Sequence, residues 1–224
     1  MSLIQSDESQ PLASSSTPLD TGLVEFRGIH QDLDIESCPP ARTEYQPLSL
    51  IPTSYRTILP KDRHIIQKLH ETWFPVTYQK DFYDNLVYGR MCNTNEKLFS
   101  ILACNKEDEI LACLVGMSVQ GSKLNPPSRQ LILPGWPHRH ERAFYIMTLG
   151  TIPQARNMGL ATSLIDDCIK RFVLADKKCG TLYLHVITSN EAAIRFYERL
   201  NFFRVQEIES KYKWTISTFC CVTL

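Results

Sequence analysis

The chain has 224 residues, 24 basic and 24 acidic side chains, a formal net charge of zero, and 43% hydrophobic residues. That length suits one large domain or two small ones. The charge balance argues against a nucleic-acid partner or electrostatic attachment to a membrane. No apolar run nears the roughly 20 residues that cross a bilayer, so no transmembrane segment is expected. Residues 1–8 are polar and acidic, unlike a signal peptide, and a cytoplasmic protein is expected.

In chain order, residues 1–50 read as a disordered leader. They contain Ser14-Ser-Ser-Thr-Pro18 and Cys38-Pro-Pro40, and only Arg27 and Arg42 offset the acidic residues. Residues 51–224 form the domain. A first strand is expected at 54–59, then a helix over 60–73, with Pro60 in its first turn and Ile65, Ile66, Leu69 and Trp73 at helical spacing. A connection through Phe74-Pro-Val-Thr-Tyr78 leads to a second helix at 79–88. Strands at 97–103 and 109–118 form a hairpin around residues 105–108. The polar segment 121–142 carries four prolines and is expected to loop out. The remainder reads strand, helix (159 to about 175), strand, helix and two closing strands. This pattern predicts a single α+β domain with a mixed central β-sheet and flanking helices.

Eight cysteines (Cys38, Cys92, Cys104, Cys113, Cys168, Cys179, Cys220 and Cys221) include no C-x-x-C pair, and buried free thiols are expected. His138 and His140 stand in a Pro- and Arg-rich loop without further ligands. Both read as solvated, and no metal site is expected.

Two segments carry chemistry. Residues 144–150 form an apolar strand that leads, through a polar loop, into Arg156-Asn-Met-Gly-Leu-Ala161 at a helix start. Such a start presents unpaired N–H groups and the positive end of the helix dipole. Gly159, without a Cβ, admits an anion close to the backbone, and Ala161 keeps the next turn narrow. Downstream, a buried strand from Thr181 ends at Ser189-Asn190, and a helix follows with Glu191 in its first turn. Asn190 and Tyr197 lie two helical turns apart on one face. Taken alone, Asn190 reads as a helix cap and Tyr197 as core.

Together these segments resemble the pyrophosphate loop (Arg/Gln-x-x-Gly-x-Gly/Ala) and closing half of GCN5-related (GNAT) acetyltransferases. The resemblance implies acetyl-CoA as cofactor, held by Leu149, Gly150, Thr151, Arg156, Asn157, Met158, Gly159, Leu160, Ala161, Asn190 and Tyr197. It also implies two central strands that splay around the cofactor's arm. Strand alternation puts Tyr145 with Met147 and Leu149 on one face, and His185 with Tyr183 and Ile187 on one face. Tyr145 and His185 are candidate proton handlers if those faces share the slot. Each also has a packing reading, and parity alone does not choose.

Tyr145-Ile-Met-Thr-Leu-Gly150 and Tyr183-Leu-His-Val186 closely resemble N-terminal acetyltransferases of the NatF and NatE types. That likeness runs from about Tyr55 to the end and implies Tyr145 and His185 as catalytic bases. It implies Phe74, Pro75, Val76, Tyr78, Met147 and Tyr212 as contacts to a substrate N-terminus, Met followed by a hydrophobic residue or Lys. Trp73-Phe-Pro and the long insertion resemble NatF more, whereas Tyr145-Ile-Met-Thr-Leu-Gly150 resembles NatE more, and NatF is the favoured type. An α-amine, with pKa near 8, also loses its proton more readily than lysine, near 10.4. The closing segment departs from the pattern: Lys211 stands where a second Tyr is expected, the loop looks shortened, and the NatF membrane-binding extension is not seen. Peripheral association with the Golgi is thus implied by resemblance alone. Lysine acetylation of histones, and an inactive acetyl-CoA-binding partner, are the alternatives.

Overall fold

The computed structural model describes residues 24–26, 52–92, 94, 96–209 and 215–222. Within the leader, Val24–Phe26 forms a short strand (β1); the rest of residues 1–50 lies outside the described residues. Ser54–Arg56 (β2) precedes a 3-10 turn at Pro60–Asp62 and the helix Arg63–Trp73 (α1). Pro60 fits that first turn, where its missing N–H costs no helical bond. Val76–Tyr78 (β3) pairs with β1 and leads into Lys80–Leu86 (α2).

Leu98–Cys104 (β4) and Ile110–Gln120 (β5) make the expected hairpin. Asn105 Oδ1 closes its turn by accepting from the N–H groups of Glu107 (3.1 Å) and Glu109 (2.9 Å). The segment expected to loop out is instead ordered. Pro126–Ile132 is a helix (α3), with Pro126 at its start and Asn125 Oδ1 accepting from the Ser128 N–H at 2.9 Å. Leu124, Ile132 and Leu133 are buried, and the Arg129 guanidinium stacks 4.2 Å over Trp136. The prolines start this helix, and three buried apolar residues hold it to the core.

Arg142–Thr151 (β6), Leu160–Cys168 (α4, continued by a π-turn through Val173), Cys179–Ile187 (β7) and Glu191–Arg199 (α5) follow. The hairpin Phe203–Glu209 (β8) and Thr215–Val222 (β9) closes the fold. Ser128 Oγ donates to Gln206 Oε1 of β8 at 2.9 Å, which ties α3 to that edge.

Among the described residues, seven strands form one sheet in the order β2-β4-β5-β6-β7-β9-β8, in which only β6 and β7 are parallel neighbours. One face, with Cys113, Val115 and Tyr183, is covered by α1, α2 and the insertion through Ile66, Phe82, Leu86 and Ile132. The other, with Leu114, Phe144, Ile146 and Leu182, is covered by Leu164 and Ile165 of α4 and Ile194 of α5. This is the expected α+β architecture. Of the cysteines, Cys104, Cys113, Cys168, Cys179 and Cys220 are buried, and Cys92 and Cys221 half-buried; all seven are free thiols. Cys38 lies outside the described residues. His138 is exposed as expected, but His140 is half-buried: its ring lies on the backbone of Gly180, where a Cβ would come within 2.3 Å. Only glycine admits that contact.

Candidate active site

β6 and β7 pair from Arg142 opposite Cys179 to Ile146 opposite Leu184, and there the ladder stops. Beyond it each strand keeps its outer partner: β6 stays on β5 as far as Thr151, and β7 on β9 as far as Ile187. A bulge lies at the point of separation. Ile146 faces Gly116 and Thr148 faces Val115, so Met147 has no residue opposite. The extra residue bends and twists β6, which turns its end away from β7. Gly116 permits this, because a Cβ there would come within 2.4 Å of the Phe144 ring.

The resulting slot is a cavity of about 440 Å³. Residues 146–151 of β6 and 184–187 of β7 form its walls, with Ala193, Phe196 and Tyr197 of α5 alongside. The bulge also corrects the face assigned to Leu149. Tyr145 and Met147 pack against the α1 face, whereas Leu149 packs against the α4 face.

At one end stands the loop 156–161. Asn157 (φ 61°) and Gly159 (φ 80°) both take the left-handed conformation, and a Cβ on Gly159 would meet nothing within 4 Å. The first α4 bond runs from the Ser163 N–H to the Gly159 carbonyl (2.9 Å), so the preceding N–H groups have no helical acceptor. Arg156 lines the cavity and makes no ion pair among the described residues. Backbone donors, a helix N-terminus and a free guanidinium make this end an anion cradle.

Trp73, Phe74, Pro75 and Tyr78 line the same cavity, as does Met147. The Trp73 indole lies on Gly150, whose Cβ would come within 2.1 Å of that ring. Behind the cluster His70 is fully buried, with its ring centroid 5.3 Å from that of Phe74, 5.9 Å from Tyr78 and 5.7 Å from Tyr83. Neither ring nitrogen has a partner among the described residues, and burial pushes the imidazole down to about 3.

Tyr145, Tyr183 and His185 share a face of the sheet. Tyr145 stacks on Tyr183 (centroids 4.9 Å, 24°) and lies 5.3 Å from His185. His185 lines the slot, while Tyr145 stands behind the lining. Though open to the slot, the His185 ring is closed in by protein on its other sides, and this enclosure pushes the imidazole down to about 4. Its Nδ1 lies 3.1 Å from Thr218 Oγ1. Burial pushes the Tyr145 phenol up to about 12, so both groups are neutral at pH 7.

Asn190 both caps α5, its Oδ1 accepting from the Ala193 N–H at 3.1 Å, and lines the slot with Tyr197. Leu149, Gly150, Thr151, Arg156 and Ala161 also line it. Asn157, Met158 and Gly159 are instead exposed on the loop, and Leu160 is core. The backbone of Val76 belongs to β3; Tyr212 lies outside the described residues. Sequence reasoning missed Thr148, Phe196 and Thr218. The Thr148 hydroxyl is buried on the slot without a partner among the described residues, a position that depends on the bulge.

The acetyltransferase (GNAT) family model matches residues 63–202. The chain belongs to the GNAT acetyltransferase family. Relatives of this GNAT chain include a histone acetyltransferase, MCC1, of Arabidopsis thaliana, 32% identical over 168 residues, which covers 74% of this chain and 66% of the relative. N-alpha-acetyltransferase 60 of Xenopus tropicalis is 29% identical, over 71% of this chain and 63% of that protein. The chain thus spans just under two thirds of the length of these curated relatives. The Arabidopsis thaliana NAA60 structure in complex with acetyl-CoA is similar with a TM-score of 0.64 and 25% identity, over 75% of this chain and 97% of that one.

Proposed function

We propose that the chain is an acetyl-CoA-dependent N-terminal acetyltransferase acting on protein N-termini that begin with Met followed by a hydrophobic residue or Lys. The observation that carries this reading is the slot itself, one cavity lined both by Arg156 of the anion cradle and by the apolar and aromatic side chains of Trp73, Phe74, Pro75 and Tyr78. The residues present fit acetyl-CoA. Arg156 and the N–H groups of the Gly159 loop would hold its pyrophosphate, and Asn190 and Tyr197 would lie along its arm. When bound, it supplies an acetyl group activated as a thioester. Met147 sits where β6 loses its partner strand, so backbone N–H groups of that edge are available to a carbonyl oxygen.

Phe74, Pro75, Tyr78 and Met147 would hold the first substrate side chain and orient the amine. The amine loses a proton on acylation. Tyr145 and His185, neutral side by side at the slot, are placed to hold the water that carries it away. An α-amine has a substantial neutral fraction at pH 7, so this modest machinery suffices.

The finer assignment to the NatF type is supported by the likeness to N-alpha-acetyltransferase 60 and by the ordered insertion before β6. Golgi attachment goes with that type and is tested by localising the full-length protein; no described helix is long and apolar enough to cross a membrane. A second reading, acetylation of histone lysines, is favoured by the MCC1 relative.

One assay separates these readings. Acetyl transfer is measured to a Met-Leu- or Met-Lys-starting peptide, and to the same peptide with a blocked α-amine and a free lysine. Transfer confined to the free terminus is expected. Transfer to the blocked peptide would move the function to lysine. Acetyl-CoA binding without transfer would leave an inactive partner.

A further inference from the structure

We propose that Thr218 fixes the tautomer of His185 so that the slot meets Nε2–H rather than a bare ring nitrogen, making His185 a hydrogen-bond donor there. The proposal rests on the slot being the acetyl-transfer site, and it assigns Thr218 as a positioning residue acting through His185.

The β7–β9 register sets His185 directly opposite Thr218. Cross-strand partners bring their side chains within reach of one another, and here Oγ1 stands 3.1 Å from Nδ1. Thr218 is fully buried, and Nδ1 is the one side-chain partner of its hydroxyl among the described residues. A hydroxyl has one proton to give. If Nδ1–H donated to Oγ1, the Thr218 O–H would be enclosed with no acceptor among the described residues, an arrangement buried polar groups avoid. If Thr218 donates to Nδ1, both groups are satisfied. A neutral imidazole with an accepting Nδ1 carries its proton on Nε2.

With Nδ1 turned to Thr218, Nε2 is the ring nitrogen left for the slot that His185 lines. The group offered there is a donor, suited to a carbonyl oxygen or to an ordered water. The proton leaving the amine must then find another acceptor, such as water beside Tyr145, whose ring lies 5.3 Å from that of His185. Enclosure works in the same direction, since it holds the imidazole down to about 4 and makes it a poor proton acceptor.

The test is a long-range ¹H–¹⁵N spectrum of the full chain labelled in histidine, at pH 7, with the His185 signal assigned by its loss in His185→Gln. The expected result is an unprotonated, pyridine-type Nδ1 and a protonated, pyrrole-type Nε2. The reverse pattern would overturn the proposal. Thr218→Val should mix the tautomers and lower kcat about tenfold or more, with the acetyl-CoA Kd and peptide KM little changed; Thr218→Ser should restore both readouts. A valine variant that keeps the wild-type tautomer would also overturn it. Should Thr218→Val fail to fold, the wild-type and serine spectra decide. The spectrum needs no turnover. If it shows the expected tautomer in a chain that transfers no acetyl group, the acetyl-transfer reading fails and the Thr218–His185 pairing stands.

Discussion

Gly159→Asp and Gly159→Asn together separate charge from backbone at the anion cradle. Gly159 has φ 80°, and an L-residue there carries strain of about 1–2 kcal/mol. Asn and Asp tolerate that region best, and this chain already holds Asn157 at φ 61° and Asp108 at φ 62°. A Cβ at 159 meets nothing within 4 Å, so neither variant is excluded by packing. The two differ by one charge, set before the free N–H groups of α4 and near Arg156. A pair of like unit charges at 4 Å costs about 1 kcal/mol in water and about 4 kcal/mol at an effective dielectric of 20. A middle value of about 2–3 kcal/mol weakens binding roughly 30- to 150-fold. Calorimetric titration with acetyl-CoA should therefore show the aspartate variant at least about 30-fold weaker than the asparagine variant, with a gap that narrows at high salt. Wild-type affinity in both variants would remove the pyrophosphate from this loop. Equal losses in both would assign the effect to backbone strain alone.

Gly150→Ala puts a methyl group within 2.1 Å of the Trp73 ring, and displacing the indole should cost about 1–3 kcal/mol. At about 2–4 °C per kcal/mol for a chain of this size, the Tm should fall by several degrees, whereas an unchanged Tm would mean that Trp73 does not rest on Gly150. Phe74→Ala should raise KM for Met-starting peptides roughly tenfold while kcat changes little; an unchanged KM would take Phe74 out of the pocket. Tyr145→Phe should lower kcat with the acetyl-CoA Kd intact, and a weaker Kd would point to packing instead. His70 gives a pH effect on stability. Its folded value of about 3 lies below the unfolded 6.5, so only the unfolded chain gains a proton as pH drops below 6.5. Stability is fully present above 6.5 and falls by up to about 1.4 kcal/mol per pH unit towards 3. His185 adds a smaller loss, because it is open to the slot. His70→Phe should flatten the fall in Tm between pH 7 and pH 5; an equal fall in both proteins would exclude His70 as its source.

Most of the fold was legible wherever the signal is local. Ile66 and Leu69 mark one face of α1, Asn105 closes the β4–β5 turn, and Gly159 stands at a helix start; neighbours alone dictate each of these. The insertion was misread because Pro126 and Pro127 look like breakers in isolation, although proline belongs in a first turn. The burial of Leu124, Ile132 and Leu133 depends on a sheet face assembled from distant strands. The cradle and the Asn190 cap were readable for the same local reason, and Asn190 proves to be a cap and a slot residue at once.

The slot's centre was not readable, and the reason is the bulge. Strict alternation puts Leu149 on the Tyr145 face, and the extra residue at Met147 reverses that. What decides the bulge is Gly116, on another strand, whose missing Cβ leaves room for Phe144. The same dependence hides Thr218, which meets His185 only through the β7–β9 register. His70 was passed over because it lies on the buried side of a helix that looked complete without it. A helix-capping or phosphate-binding signature must occur in one short stretch, since adjacent backbone groups make it. A proton-handling pair joins strands far apart in the chain, so its members can be named as residue types while their faces, tautomers and partners are set by register. That is why the cradle test above can be designed from a hexad, whereas the His185 test requires the paired strands.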